Sequence, residues 1–279
     1  MKPLVLALCA FLGLSAAEPT QFVGRLSDFD RKAQTALLSP EVGQPTRVSL
    51  LSGDLEIAWS RPVRGVLLQR DGRLRAEGVV SADPDELRQE QQVVDDLRRD
   101  TFERGRLVMR GANDLMPMMA LWDQDGRFRL KKDFLGAPLA VNFVFTSCHN
   151  ARMCPASTQS MRQLGDELAR RPALANVRLL TITFDPETDV PAVLRTYAQG
   201  YGIDFARHSF LTGREAHIKD LMRHYGILTT RSDGTILHNA ALVIVSPEGR
   251  IVQRREGAVF DAVDVADYFS RLAEPAKPR

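Results

Sequence analysis

The chain has 279 residues, of which 44% are hydrophobic and 26% are charged. This length and composition are those of an ordinary globular protein that can bury a sizeable core in one large domain or two smaller ones. The net charge is only +2, and no basic stripe interleaved with aromatic residues is visible, so we expect no nucleic-acid partner.

The first 17 residues have the pattern of a secretory signal peptide. Lys2 precedes an apolar run over residues 4–14, and small residues follow it, so we expect cleavage after Ala17. We therefore predict a periplasmic or otherwise exported protein, with an uncleaved N-terminal anchor as the minority interpretation. No later segment approaches the roughly 20 apolar residues of a spanning helix, so we expect no membrane span in the mature chain.

Residues 18–114 are predicted to form an N-terminal β-rich region with one surface helix. Residues 18–45 show no clear period, and we interpret them as loop or short helix. Alternating runs flank residues 52–54 and 70–72, which is typical of two β-hairpins. Asp83, followed by a proline, then begins a polar helix with a narrow apolar stripe that includes a phenylalanine near its end.

A methionine-rich segment at 115–119 marks the predicted start of a second domain, 115–273, which a short tail at 274–279 follows. Thioether sulfurs spaced this closely could bind Cu(I). Clustered methionines more often pack a core or a seam between domains, and we favour that interpretation.

The second domain alternates strands and helices. The predicted elements are a buried strand over 139–145, a helix from Pro155, a buried strand over 177–184, a helix capped by Asp189, a short strand over 209–212, a helix over 214–225, a hairpin over 240–255 and a last helix over 261–272. This order predicts the α/β fold class, a thioredoxin-like sandwich in which helices flank a central mixed sheet.

Cys148 and Cys154 are the only cysteines left once Cys9 leaves with the signal. They lie between a buried strand and a helix start, where the helix dipole favours a thiolate over a thiol. A structural disulfide is the ordinary interpretation in an exported protein, yet closing a loop of five residues gains little stability. We therefore favour a functional, redox-active pair.

His238 is the predicted third member of this site. In a thioredoxin-like order, the chain that enters the hairpin passes close to the loop after the first core strand, which puts His238 opposite Cys148 and Cys154. Two thiolates and one imidazole suit Cu(I) and can also hold Cu(II). Zinc would usually take a fourth ligand. The predicted metal ligands are thus Cys148, Cys154 and His238.

Four motifs together resemble the SCO1/SenC family and cover roughly residues 121–269. They are the run 141–148 with 154–155, the segment 183–191, the segment 210–213, and His238 with 242–251. The resemblance implies a thioredoxin-fold metallochaperone that binds copper through two cysteines and a histidine. It further implies delivery of copper to, or reduction of the thiols of, the binuclear copper site of cytochrome c oxidase, with Asp185 as a nearby acid.

The expected partners are a copper-acceptor protein, namely a cytochrome c oxidase subunit, and a thioredoxin-like reductant. Two features depart from the family: the spacing is C-x5-C where C-x3-C is common, and Leu237 stands where an acid often precedes the histidine. The missing acid removes one candidate for orienting the imidazole.

Alternatives remain for single residues and for the whole function. His149 and Met153 could also reach a metal, although we favour a surface histidine and a loop methionine, and Asp185 could simply form a turn. The other three histidines, at 208, 217 and 224, are predicted to be solvated or satisfied locally. The alternative function is a metal-free thiol-disulfide oxidoreductase or peroxiredoxin-like enzyme that uses Cys148 and Cys154, one attacking and the other resolving.

Overall fold

The structure is a computed structural model that describes residues 19–232 and 235–273. The predicted signal peptide and the predicted C-terminal tail lie outside the described residues. Within these ranges the chain forms fourteen strands and five α-helices. No helix in this part of the chain combines the length and the apolar character that crossing a bilayer requires.

Five strands close into an N-terminal barrel. They are β1 (Thr20–Asp30), β2 (Thr35–Pro40), β3 (Thr46–Ser49), β4 (Val63–Arg70) and β5 (Arg73–Ser81), in the order β1-β2-β3-β5-β4. Inward and outward side chains alternate, so Phe22 and Leu26 of β1 lie in the barrel core. Gly24 lies where β1 passes from β4 to β2, and a Cβ there would be 2.5 Å from the carbonyl oxygen of Ser39. Glycine is therefore required for this close approach.

Two predictions for this region are wrong. The described part of the segment 18–45, which begins at residue 19, is mostly strand, because β1 and β2 occupy it. The glycine and the charged outer face of β1 hide the alternation in the sequence. Residues 52–54 form no hairpin turn, because Ser52 precedes a short 3-10 helix, Gly53–Leu55, that contains the other two. The second hairpin is confirmed, because β4 and β5 pair antiparallel on either side of Asp71 and Gly72, whose φ angles are 51° and 72°.

Helix α1 (Pro84–Arg104) begins as predicted. The carboxylate of Asp83 accepts hydrogen bonds from two backbone amides of the first turn, at 2.9 and 3.2 Å. The side chains of Val94 and Leu97 lie on the inner face of the helix and are buried. Phe102, which we expected on the same apolar stripe, is 76% exposed. The helix therefore covers the neighbouring sheet with a stripe even narrower than predicted.

The second sheet has seven strands in the order β14-β13-β8-β9-β10-β6-β7. Its strands are β6 (Ala120–Asp123), β7 (Phe128–Leu130), β8 (Leu139–Val144), β9 (Arg178–Thr183), β10 (His208–Thr212), β13 (Ala241–Val245) and β14 (Ile251–Glu256). Strands β8, β9 and β10 are parallel and central, and the outer pairs are antiparallel. A separate two-stranded ribbon, β11 (Thr229–Ser232) and β12 (Thr235–His238), precedes β13.

Helices cover both faces of this sheet, as predicted. They are α2 (Cys154–Ala169), α3 (Pro191–Gly200), α4 (Glu215–His224) and α5 (Ala262–Ala273), together with α1. Alternate residues of β8 enter two cores: Ala140 packs with α2 and α5, and Val141 packs with α1 and α4. Met116 and Met119 are fully buried in the second of these cores, so the packing interpretation of the methionine segment is confirmed for both. The domain boundary at residue 115 stays a prediction.

Candidate metal centre

Cys148, Cys154 and His238 come together at the carboxyl end of β8. Cys148 lies in the loop after that strand, Cys154 is the first residue of α2, and His238 ends β12. One ligand atom from each residue lies within 4.8 Å of the other two. The Sγ atom of Cys154 is 3.3 Å from Nε2 of His238. The structure thus brings all three predicted ligands to one point, with Cys148 and Cys154 free and no disulfide between them.

The five-residue spacer is folded back by its own hydrogen bonds. Asn150 organises it: its side-chain oxygen accepts from the amide of Arg152 at 3.0 Å, and its carbonyl accepts from the amide of Met153 at 2.9 Å. The first turn of α2 is fixed to the sheet, because Asn142 of β8 donates to the Ser157 hydroxyl at 2.8 Å. The longer C-x5-C loop therefore still presents both sulfurs to the same place.

The imidazole of His238 is oriented by a backbone carbonyl. Nδ1 lies 2.7 Å from the carbonyl oxygen of Asn239, which can only accept, so Nδ1 carries the proton and Nε2 keeps its lone pair toward Cys154. The ring packs on Phe184, with centroids 4.6 Å apart. The position before His238 holds no acid, and the Leu237 side chain there is 58% exposed. The backbone carbonyl of Asn239 therefore supplies the contact that orients the imidazole.

Burial sets the protonation of the site. Desolvation lowers the pKa of His238, only partly opposed by the hydrogen bond to Asn239, so the imidazole is neutral at neutral pH. Burial also raises the pKa of the Cys154 thiol, and the charges of Cys148 and Asp189 raise it further. In the metal-free protein, burial therefore favours the thiol at Cys154 and opposes the thiolate expected from the helix start. A bound cation would supply the charge that favours the thiolate.

Asp189 is a residue whose role the sequence did not predict. We expected it to cap α3, but the residue before the helix is Val190. The buried carboxylate instead accepts from the backbone amide of Thr146 at 3.0 Å, from the Thr146 hydroxyl, and from the Thr183 hydroxyl at 2.5 Å. Desolvation raises the pKa of Asp189, while these hydrogen bonds lower it. The carboxylate thus ties the segment before Cys148 to the end of β9.

Asp185 lies in the turn after β9. Its backbone amide donates to the Thr183 hydroxyl at 3.0 Å, and its carbonyl accepts from the amides of Thr188 and Asp189 at 3.1 and 2.9 Å. The residue therefore forms a turn, and a further role for its side chain stays a prediction. His149 is exposed in the loop and is not one of the three residues whose ligand atoms cluster in the described part of the chain. Met153 is half-buried, and a role for its sulfur stays a prediction.

The three remaining histidines are buried, so of the two predicted alternatives, solvated or satisfied locally, burial excludes the first. His208 bonds to the Thr181 hydroxyl at 2.7 Å, His217 accepts from the Ala120 amide at 3.2 Å, and His224 accepts from Arg110 at 2.9 Å. Desolvation lowers the pKa of His208 to about 3. His208 and His224 are hydrogen-bonded inside the fold, and so is Nε2 of His217, whereas the buried Nδ1 of His217 has no hydrogen-bond partner among the described residues.

A family model described as SCO1/SenC matches residues 108–273, which is more than half of the chain. Among curated relatives, the mitochondrial SCO2 homolog of Bos taurus is 32% identical over 136 residues, which are 47% of this chain and 49% of the relative. The SCO1 protein homolog of Bacillus subtilis is 26% identical over 139 residues, 48% of this chain and 70% of the relative. This chain therefore spans about half the length of some of the relatives that it matches.

Solved structures agree on the fold. Arabidopsis thaliana ScoI with copper bound has a TM-score of 0.50 and 21% identity, covering 57% of this chain and 98% of its own. BsSco, named as a member of the Sco family of cytochrome c oxidase assembly proteins, has a TM-score of 0.52 and 22% identity, covering 59% of this chain and 97% of its own. These likenesses confirm the thioredoxin-like fold, and the family match shows that the chain belongs to the SCO1/SenC family.

Proposed function

We propose that this protein is an exported copper metallochaperone whose ligands are Cys148, Cys154 and His238. The observation that carries the proposal is the convergence of two sulfurs and one unprotonated imidazole nitrogen within 4.8 Å. Two thiolates and an imidazole are the donors that Cu(I) prefers, and they can also hold Cu(II). The copper-bound ScoI structure and the family membership support the choice of metal.

The proposed acceptor is a subunit of cytochrome c oxidase, and the delivered copper would enter its binuclear site. BsSco is named as a member of the Sco family of cytochrome c oxidase assembly proteins, which supports this choice of acceptor. Export is supported by the signal-like residues 1–17.

Copper would leave by ligand exchange. Cys148 is half-buried whereas Cys154 is 1% exposed, so an incoming acceptor thiolate reaches the metal first on the Cys148 side. Cys148 can then depart while Cys154 and His238 still hold the ion. Each exchange replaces one thiolate by another, so the charge of the site stays constant through the transfer.

The same pair of thiols can reduce an oxidised acceptor. The more accessible Cys148 would attack the acceptor disulfide as a thiolate, and Cys154 would resolve the mixed disulfide. The acceptor gains two electrons and two protons, and the pair becomes a disulfide that no longer offers thiolate ligands. A thioredoxin-like reductant would then restore the pair. The metal-free alternative, a thiol-disulfide oxidoreductase or peroxiredoxin-like enzyme, uses the same atoms but has no requirement for His238.

The test is an anaerobic Cu(I) titration of the reduced protein against a competing chelator, with His238→Ala. We expect the variant to bind Cu(I) at least about tenfold more weakly, since losing even an outer partner of a metal ligand typically costs 10- to 100-fold. The control is His149→Ala, which removes an exposed histidine from the loop between the two cysteines. This variant should bind Cu(I) as tightly as the unsubstituted protein.

Equal Cu(I) affinity in His238→Ala and the unsubstituted protein would contradict the proposed ligand set. If that variant also kept full turnover with a disulfide substrate, the metal-free oxidoreductase would be the better account.

A further inference from the structure

The N-terminal barrel sits on the start of α3. Ala192, in the first turn of that helix, is fully buried and belongs to the barrel's hydrophobic core rather than to the core of its own sheet. The 3-10 helix Gly53–Leu55 approaches it by backbone contact, since a Cβ at Gly53 would lie 2.2 Å from the carbonyl oxygen of Ala192. The close contact is therefore possible only with glycine at position 53.

Polar contacts continue the same interface along α3. Glu56, just after the 3-10 helix, accepts from Arg195 at 3.1 Å and from Gln199 at 2.6 Å. Arg195 also pairs with Asp125 in the turn between β6 and β7. Because Glu56 is partly exposed, these pairs orient the barrel more than they stabilise it, and the buried contact at Ala192 carries the docking.

The same end of α3 holds the loop of the metal centre. Asp189 lies three residues before Ala192, and its carboxylate holds both the amide and the hydroxyl of Thr146. Thr146 lies two residues before Cys148. Short stretches of backbone and the hydrogen bonds of Asp189 therefore connect the barrel core, through Ala192, Asp189 and Thr146, to the more accessible thiol.

We propose that Asp189 is the positioning residue for Cys148 and that the barrel clamps it in place by docking on the first turn of α3. The physical reason is the cost of leaving a buried carboxylate without its donors. While the barrel fixes the helix start, Asp189 can meet Thr146 and Thr183 together, and the loop keeps Cys148 near Cys154 and His238. Undocking lets the helix start shift, so the loop samples arrangements in which one ligand is displaced and the apparent affinity for metal falls.

The test compares hydrogen exchange in the full, reduced, metal-free chain with and without Gly53→Val. The added side chain meets backbone atoms of Ala192, which no side-chain rotation can relieve. We expect faster exchange at 53–59 and 191–195, where docking is lost, and also at 146–153, which begins with the residue that Asp189 holds. Asp189→Asn should release 146–153 while leaving 53–59 protected.

Val48→Ala is the matched control, because Val48 is buried in the same barrel core but lies on β3. It should weaken the barrel without accelerating exchange at 146–153. Faster exchange at 53–59 and 191–195 in Gly53→Val with unchanged exchange at 146–153 would overturn the clamp. Unchanged exchange at 146–153 in Asp189→Asn would also overturn the proposal, because it would show that Asp189 does not hold this loop.

A second arm measures Cu(I) affinity and rests on the proposed function. We expect Asp189→Asn to weaken Cu(I) binding by about 10- to 100-fold, which is the usual effect of losing a residue that holds a metal ligand in place. Gly53→Val should weaken it by about 2- to 30-fold, the usual range for coupling through intervening residues. Failure of the unsubstituted protein to bind Cu(I) would defeat the copper proposal alone, because the exchange arm is carried out without metal.

Discussion

Replacing Cys154 with serine is expected to abolish tight Cu(I) binding. Cys154 is 1% exposed, its sulfur lies 3.3 Å from Nε2 of His238, and the loop holds Cys148 beside both. A serine hydroxyl is a hard donor that stays protonated, so only one thiolate and one imidazole would remain. The expected loss exceeds the 10- to 100-fold typical of outer-shell substitutions, because a ligand itself is removed.

The measurement is the anaerobic Cu(I) titration with a competing chelator, and the unfolding midpoint of the metal-free variant shows whether the fold is kept. Met153→Leu is the matched control: it removes the neighbouring thioether at nearly constant volume and should leave the affinity unchanged. A stoichiometric, tight Cu(I) complex of Cys154→Ser would contradict the two-sulfur site. A large loss in Met153→Leu would instead add the methionine to the ligands.

Replacing Asp54 with asparagine is expected to stabilise the protein at alkaline pH and to have little effect near pH 4. Asp54 is fully buried in the 3-10 helix beneath the barrel, and desolvation raises the pKa of its carboxyl from 3.8 to about 7, only partly offset by the backbone of Leu51 and the charge of Arg75. The folded protein therefore keeps a proton on Asp54 over a pH range in which the unfolded chain has released it.

The sign follows from this difference. Well below pH 3.8 both states hold the proton, so ionisation of Asp54 costs no stability there. Between about pH 4 and 7 the folded state binds more protons than the unfolded state, so stability falls as the pH rises, and above about pH 7 the full penalty remains. A pKa raised from 3.8 to about 7 corresponds to a penalty of about 4 kcal/mol, which asparagine would remove.

Urea unfolding at pH 4 and pH 8 measures this effect. The free energy of unfolding of Asp54→Asn should exceed that of the unsubstituted protein by several kcal/mol at pH 8 and match it at pH 4. Asp30→Asn, on an exposed carboxyl at the end of β1, is the control and should change neither value. An equal difference at both pH values would show that Asp54 does not titrate with folding.

The second domain could be predicted from the sequence because its central strands are unbroken apolar runs. A parallel strand covered on both faces, such as β8, is distinctive, whereas β1 of the barrel mixes a glycine and charged residues into its alternation. The two cysteines and His238 could be predicted because they occupy the ends of recognisable elements. Their convergence follows from the order of strands in the sheet.

The residues that support the site could not be predicted, because their partners are distant in the chain. Asp189 has the pattern of a local helix cap, yet it accepts from Thr146, which β8 and β9 bring beside it only through their parallel pairing. Likewise, His208 meets Thr181 across neighbouring strands. For Cys154 the helix start predicts a thiolate, but the burial that raises the pKa of the thiol is visible only in the folded structure.

X-ray absorption at the copper edge of the Cu(I)-loaded protein tests the central claim most directly, because it identifies the atoms bound to the metal. We expect two sulfur atoms and one imidazole nitrogen around copper in the unsubstituted protein, and loss of the nitrogen alone in His238→Ala. A shell with a single sulfur, or one with no imidazole nitrogen, would contradict the three-ligand site.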